Sequence, residues 1–309
     1  MATKTIEELL RIFHQQRPIR GGSLIITVFG DSISQHGGSV WLGSLIKTLE
    51  PFGLNQRLVR TAVYRLVQEN WLVSTLIGRR SYYSFTEFGL RQYEKTARRI
   101  YAADRAAWDG QWTLVLPVFV DEGCDEALRK ELRKELRWLG FGALTPGLLA
   151  HPGADRRSLD ETLRELGLED NVVVMNAHTE ELASQGVLKR LALTCWDLDK
   201  LESRYEGFLS KFRPVFDAFN NTEAPQPAQC FQLRTLMIHE YRRILLKDTD
   251  LPDDLLPTGW AGQVAYNLTA DIYRATSAGA EQYVRENMED ADGPLPAAIA
   301  GFYQRFGGL

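Results

Sequence analysis

The sequence predicts a multidomain α+β protein: an N-terminal winged helix-turn-helix, a central ferredoxin-like α/β domain and a C-terminal all-helical domain. Three observations predict it. Residues 54–83 run from an amphipathic helix (LNQRLVRTAVYRLVQENW) through a short strand (LVSTLI) and a basic, glycine-led tip (GRRS) to a return strand (YYSFT). Residues 108–178 alternate strand-type and helix-type segments, and beyond Leu188 only helical periodicity remains. The implied organisation is an arm (1–22), a head (23–86), a connecting helix (87–107), a central domain (108–187) and a helical region (188–309).

The first twenty residues mix charge with apolar side chains and have no apolar h-region, so they read as a helical arm rather than a signal peptide. Segment 23–35, SLIITVFGDSISQ, is rich in β-branched residues, yet Leu24, Ile25, Val28 and Phe29 suit one helix face; propensity leaves helix and strand both open. A helix over 41–50 is closed by Pro51 and Gly53, and the next begins after Asn55, a good N-cap. Its buried face is Val59, Ala62, Val63 and Leu66. Gln56, Arg57, Arg60, Thr61 and Tyr64 recur on the other side. Arg and Gln there suit bidentate contacts to guanine or adenine edges, and Thr61 and Tyr64 suit phosphates or a thymine methyl. A merely solvated face is the alternative. The turn Gly78-Arg79-Arg80-Ser81 tips the balance: two adjacent arginines at a loop tip gain little from ordering unless an anion meets them.

Residues 87–107 continue as a helix with a broken apolar stripe at Phe88, Tyr93, Ala97 and Tyr101. The central domain then reads strand (QWTLVLPVFV), helix with Leu128, Leu132, Leu136 and Leu139 on one side, strand pair broken at Pro146-Gly147, helix, strand (NVVVMNAH). Ser158 with Glu161 reads as the second helix's capping box. That order suggests a ferredoxin-like sandwich, a candidate dimerisation unit. Farther on, Leu201, Tyr205, Phe208, Leu209, Phe212, Val215, Phe216 and Phe219 form a broad core stripe, and helices follow near 229–248 and 262–277.

Charge is divided along the chain. Residues 1–100 hold 14 Lys/Arg against 7 Asp/Glu, whereas the remainder holds 22 against 33, within an overall net charge of −4. A basic head on an acidic body confines attraction for phosphate to one end. No apolar run approaches the roughly 20 residues needed to cross a bilayer. Three cysteines (Cys124, Cys195, Cys230) without CxxC spacing indicate neither a disulfide framework nor a zinc site, in keeping with a cytoplasmic protein.

For catalysis the sequence offers little. The five histidines lack HxH or HExxH spacing, and no GxSxG, Walker or strand-linked GxGxxG motif is present, so no catalytic or metal residues are assigned. The competing class is an enzyme: a metal-dependent nuclease using Asp121 and Glu122, or an acyl-CoA hydrolase using His239. One cluster, His239, Tyr241, Arg242, Arg243 and Lys247, suits a polyphosphate ligand in an otherwise acidic body. Arg242 and Arg243 are adjacent and point in different directions, so one can be a buried anchor while the other meets solvent or an anion. The alternative for the cluster is structural, its groups pairing with Asp253, Asp254 or Glu240.

Blocks spanning nearly the whole chain resemble the PaaX family of transcriptional repressors of bacterial phenylacetic acid degradation operons. They are GDSISQHGGSVWLGSLIKTLEPFGLNQRLVRTAVYRLVQENWL, IGRRSYYSFTEFGLR, AWDGQW, WLGFGALTPGL, IHEYRRILLKDTDLPDDLLPTGWAG and FYQRFGGL. The resemblance implies a winged-helix head, a central domain similar to the Cas2 fold and a helical C-terminal domain. It further implies repression of catabolic promoters by a homodimer bound to double-stranded operator DNA, with phenylacetyl-CoA as inducing ligand and no other cofactor.

Overall fold

A computed structural model describes residues 2–15, 21–103, 107–118, 126–179 and 185–309. The helices are α1 (Ala2–Gln15), α2 (Gly21–Asp31), α3 (Leu42–Leu49), α4 (Gln56–Gln68), α5 (Glu87–Tyr101), α6 (Glu126–Trp138), α7 (Arg156–Glu165), α8 (Gln185–Cys195), α9 (Leu198–Asn220), α10 (Pro227–Leu245) and α11 (Ala261–Asn287). The strands are β1 (Ser39–Trp41), β2 (Leu72–Ile77), β3 (Arg80–Phe85), β4 (Gln111–Pro117), β5 (Gly142–Thr145), β6 (Leu148–His151) and β7 (Val172–His178). They divide between two compact units, one of residues 1–104, 205–246 and 262–309, the other of residues 105–204 and 247–261.

In the first unit the ambiguous segment is helix α2. Every residue from Leu24 to Asp31 is buried, so no polar face marks a period, and β-branched composition misleads. Gly30 is required there: a Cβ would lie 2.1 Å from the Tyr93 ring of α5. Helix α2 packs on α4, α5 and α10. The expected arm belongs to the same core, because α1 buries Ile6, Leu9, Leu10 and Phe13 and contacts α10 and the short 3-10 turn Glu50–Phe52. Each such side chain contributes roughly 1.5–3 kcal/mol by leaving water.

The three strands of this unit form one antiparallel sheet in the order β1-β3-β2. Ile77 pairs with Arg80, so the turn is the two residues Gly78-Arg79, while Arg80 and Ser81 belong to the strand and not to the tip as the sequence suggested. Gly78 has φ +61°, which a two-residue turn of this kind demands at its first position and glycine supplies without strain. Phe85 anchors β3 against Phe29 and Tyr93, with ring centroids 5.4 and 6.0 Å away.

The second unit carries the sheet β5-β6-β4-β7, antiparallel throughout. Strand, helix, hairpin, helix, strand in that sheet order is a ferredoxin-like arrangement. Its core joins Val115 and Leu149 of the sheet to Leu132, Leu136, Leu159 and Leu163 of α6 and α7. Helix α7 is capped by Asp155, which accepts from the Arg157 amide at 3.2 Å; Ser158, the residue predicted to cap it, instead donates to Asp155 Oδ2 at 2.6 Å.

A candidate nucleic-acid interface and the buried polar residues behind it

Asn55 starts α4 as expected, its side chain accepting from the Leu58 amide at 3.0 Å. Val59, Val63 and Leu66 are buried, which turns Gln56, Arg57, Arg60, Thr61 and Tyr64 outward; all five are exposed, Tyr64 by 65%. Oriented with its amide oxygen toward Arg60, Gln56 accepts from Arg60 Nε and Nη2 at 3.2 and 3.3 Å, steadying the guanidinium. Thr61 Oγ1 donates to the Arg57 carbonyl at 2.9 Å, leaving its lone pairs and methyl outward. Arg57 and Arg60 make no ion pair among the described residues. Beside them lies a cleft of about 360 Å³ in which Arg60, Tyr64 and Gln68 of α4 face Ser74 and Tyr83 of the hairpin.

The hairpin residues differ among themselves. Arg79 occupies the turn, exposed and without an ion pair among the described residues. Arg80 is engaged: its guanidinium stacks 4.3 Å from the Trp41 ring centroid and reaches Glu289 Oε2 at 3.3 Å. Ser81 is half-buried within β3.

The C-terminal cluster is not one surface. His239 is 1% exposed, with Nδ1 3.3 Å from Thr27 Oγ1 of α2 and its ring edge-on to Phe13 at 5.8 Å. Burial pushes its pKa down to about 3, so the imidazole is neutral. Tyr241 packs on Tyr205 and Phe208. Arg242 is buried, its Nη1 donating to Ser23 Oγ at 3.4 Å, and burial lowers its pKa. Arg243 pairs with Glu240 at 3.3 Å. Of these four residues of α10, Arg243 has the Glu240 partner that the structural alternative named, while His239, Tyr241 and Arg242 are buried in the first unit. Lys247 is exposed and belongs to the second unit. Asp121 and Glu122 lie outside the described residues.

Sequence reasoning missed a buried ionic network in the first unit. Arg234 Nε of α10 stands 3.1 Å from Asp31 Oδ2, and Arg305 Nη1 donates to Asp31 Oδ1 at 3.0 Å. The Tyr101 and Tyr273 hydroxyls donate to the same oxygen at 2.7 and 2.9 Å. Arg234 also meets Glu281 at 3.1 Å, whose other oxygen takes a 2.7 Å bond from His36 Nε2. Burial alone would raise the Asp31 carboxyl, but the charges of Arg234 and Arg305 outweigh it and hold the group below its ordinary value. Burial likewise opposes the charge of Arg234, which Asp31 restores; its pKa stands above the usual arginine value. A signal was present: Arg234 has Cys230, Phe231, Met237 and Ile238 three and four residues away, placing it on the buried face of its helix.

Together these features define an α+β protein with an exposed cationic helix beside a basic hairpin turn in one unit and a ferredoxin-like fold in the other. Its family follows from comparison with known proteins. Models described as "PaaX-like protein", "PaaX protein central Cas2-like domain" and "PaaX-like protein C-terminal domain" match residues 20–89, 105–187 and 196–286. The transcriptional repressor PaaX of Escherichia coli (strain K12) is 41% identical over 293 residues, covering 94% of this chain and 92% of that protein. The chain belongs to the PaaX family. Among solved structures, the uncharacterized protein Rv0674 from Mycobacterium tuberculosis shares the fold at 21% identity and a TM-score of 0.53, over 83% of this chain and 95% of that one.

Proposed function

We propose that the chain is a DNA-binding transcriptional repressor of phenylacetate catabolic genes. In this reading residues 21–85 form a winged helix-turn-helix in which α4 enters the major groove and the β2–β3 hairpin is the wing. The observation that carries it is the solvent-facing row Gln56, Arg57, Arg60, Thr61 and Tyr64, cationic and without ion pairs among the described residues, in a chain closely related to a repressor. Base edges would meet Arg57 and Arg60, and a phosphate would meet Arg79. Two copies associated through the ferredoxin-like units would address two half-sites about one helical turn apart. Phenylacetyl-CoA would release the complex by binding the DNA-incompetent state more tightly; a swing from mostly bound to mostly free needs about 5 kcal/mol of discrimination. A cytoplasmic location fits this role, and among the described residues no helix is long and apolar enough to cross a membrane.

The hydrolase reading loses its base, since His239 is enclosed by Thr27 and Phe13 and meets no solvent. The test is a footprinting titration on DNA upstream of phenylacetate catabolic genes, repeated with phenylacetyl-CoA and with free phenylacetate. Protection removed by the thioester alone is the expected result. Release by the free acid instead would remove the inducer assignment.

A further inference from the structure

The β2–β3 hairpin ends in an apolar tip that its own unit does not cover. Strand β2 lies at the edge of the sheet β1-β3-β2, and of its six residues only Leu72 is buried. Leu76 is 72% exposed and Ile77 49%. Edge strands ordinarily carry charge, proline or a bulge against stray pairing, yet LVSTLI carries none of the three. Two large apolar side chains beside a solvated turn gain free energy once a partner takes them out of water.

Their position singles out the partner. Side chains two apart on a strand, and those directly paired across strands, share one face. Leu76, opposite Ser81, therefore stands on the face of Ser74 and Tyr83, which line the cleft shared with Arg60, Tyr64 and Gln68 of α4. Ile77 stands on the other face, opposite Arg80, whose guanidinium is fastened by Trp41 and Glu289. The tip is thus carried on a held strand between Arg79 of the turn and the cations of α4, none of which makes an ion pair among the described residues. Cations on both sides of an apolar tip match a polyanion, whereas a second copy of this chain would bring like charges against them. With α4 in the major groove, the neighbouring hairpin meets the phosphate ridge and the minor groove beyond it. That groove, about 6 Å wide, is too narrow for a two-stranded ribbon but takes single side chains.

We propose that Leu76 enters the minor groove flanking the α4 site and wedges apart a base step, with Ile77 against the sugar wall, so that the duplex bends. This rests on the DNA-binding reading and adds to it what the hairpin does there. An apolar wedge kinks DNA by about 20–90° toward the major groove, which here is the side of α4. Pyrimidine–purine steps unstack at least cost, so the tip favours a TA or CA step at a position where it makes no hydrogen bond. Arg79 holds a phosphate beside the opened step.

Energy transfer between dyes at the two ends of a duplex carrying the protected sequence, read together with affinity at several salt concentrations, tests this. Wild type should bring the ends together. L76T/I77T, which keeps strand propensity but removes the apolar reach, should lose the bend and about tenfold in affinity, the order expected when one such side chain is no longer buried. Its slope of affinity against salt should match wild type, because no phosphate contact is removed. L76M/I77M, apolar and of similar size, should restore bend and affinity, and V73T, nearer the base of the same strand, should behave as wild type. Equal bending and affinity in wild type and L76T/I77T, with the footprint retained, overturns the wedge and leaves the repressor reading standing. A salt slope reduced in L76T/I77T as much as in R79A also overturns it, since the tip would then serve only to place a cation. So does sedimentation of DNA-free wild type as an assembly that L76T/I77T dissolves, which would make the tip a contact between copies. Should wild type bind no duplex at all, the DNA-binding reading falls and the wedge with it.

Discussion

Helices α2 and α4 pack against one another in the same unit and use their polar residues in opposite ways. Helix α2 is buried on every side, and its Asp31 is consumed by Arg234, Arg305 and two tyrosine hydroxyls. Helix α4 buries one apolar seam and leaves Arg57 and Arg60 facing water without counter-charges among the described residues. Charge of the first kind fastens elements distant in sequence; charge of the second kind is available to an anion from outside. The family relationship adds what that anion is proposed to be.

The comparison is most sharply tested at Asp31. Asp31→Asn leaves two buried guanidinium groups short of their counter-charge and should cost about 3–5 kcal/mol in chemical denaturation. A cost below about 1 kcal/mol would mean that the network does not fasten the unit. Acid should act next. His239 titrates at about 3 when folded, whereas an unperturbed histidine titrates near 6.5. Between those values the unfolded chain binds a proton that the native state refuses, so stability falls as pH drops below about 6.5, by at most about 1.4 kcal/mol per unit. His239→Gln should flatten that slope. Asp31, held low by its arginines, contributes stability that is lost only below the ordinary carboxylate range near 4.

On the exposed side the expected effects are smaller and concern binding. Arg60→Ala should weaken specific DNA binding by about 1–3 kcal/mol and relax base preference. Arg79→Ala should weaken all duplexes alike and reduce the slope of affinity against salt by about one. Indistinguishable behaviour of the two variants would mean their roles are wrongly divided. Arg80→Ala should change DNA affinity less than Arg79→Ala does, because its guanidinium is occupied by Trp41 and Glu289. Its effect on folding should stay within about 1 kcal/mol, since that ion pair is half-exposed.

Much of this was legible before any coordinates. The Asn55 cap, the buried seam of α4 and the strand–helix alternation of the ferredoxin-like unit all follow from local chemistry and periodicity. Helix α2 was not legible, because an element enclosed on all sides shows no amphipathic period. In the C-terminal cluster the direction of each side chain was not legible either. Of the two adjacent arginines, Arg242 turns inward to Ser23 and Tyr93, which lie far away in sequence, while Arg243 meets Glu240 three residues back on its own helix. The arginine partners of Asp31 lie 203 and 274 positions onward, beyond any local pattern.

The central claim is that the exposed cationic face of α4 meets DNA while the buried charges behind it do not. Footprinting on a phenylacetate catabolic promoter, with wild type and R57A/R60A compared at equal concentration, tests it most directly. A discrete protected sequence that disappears in the double variant, whose unfolding curve matches wild type, is the expected result. Absence of any protected sequence, or identical protection by both proteins, would contradict it.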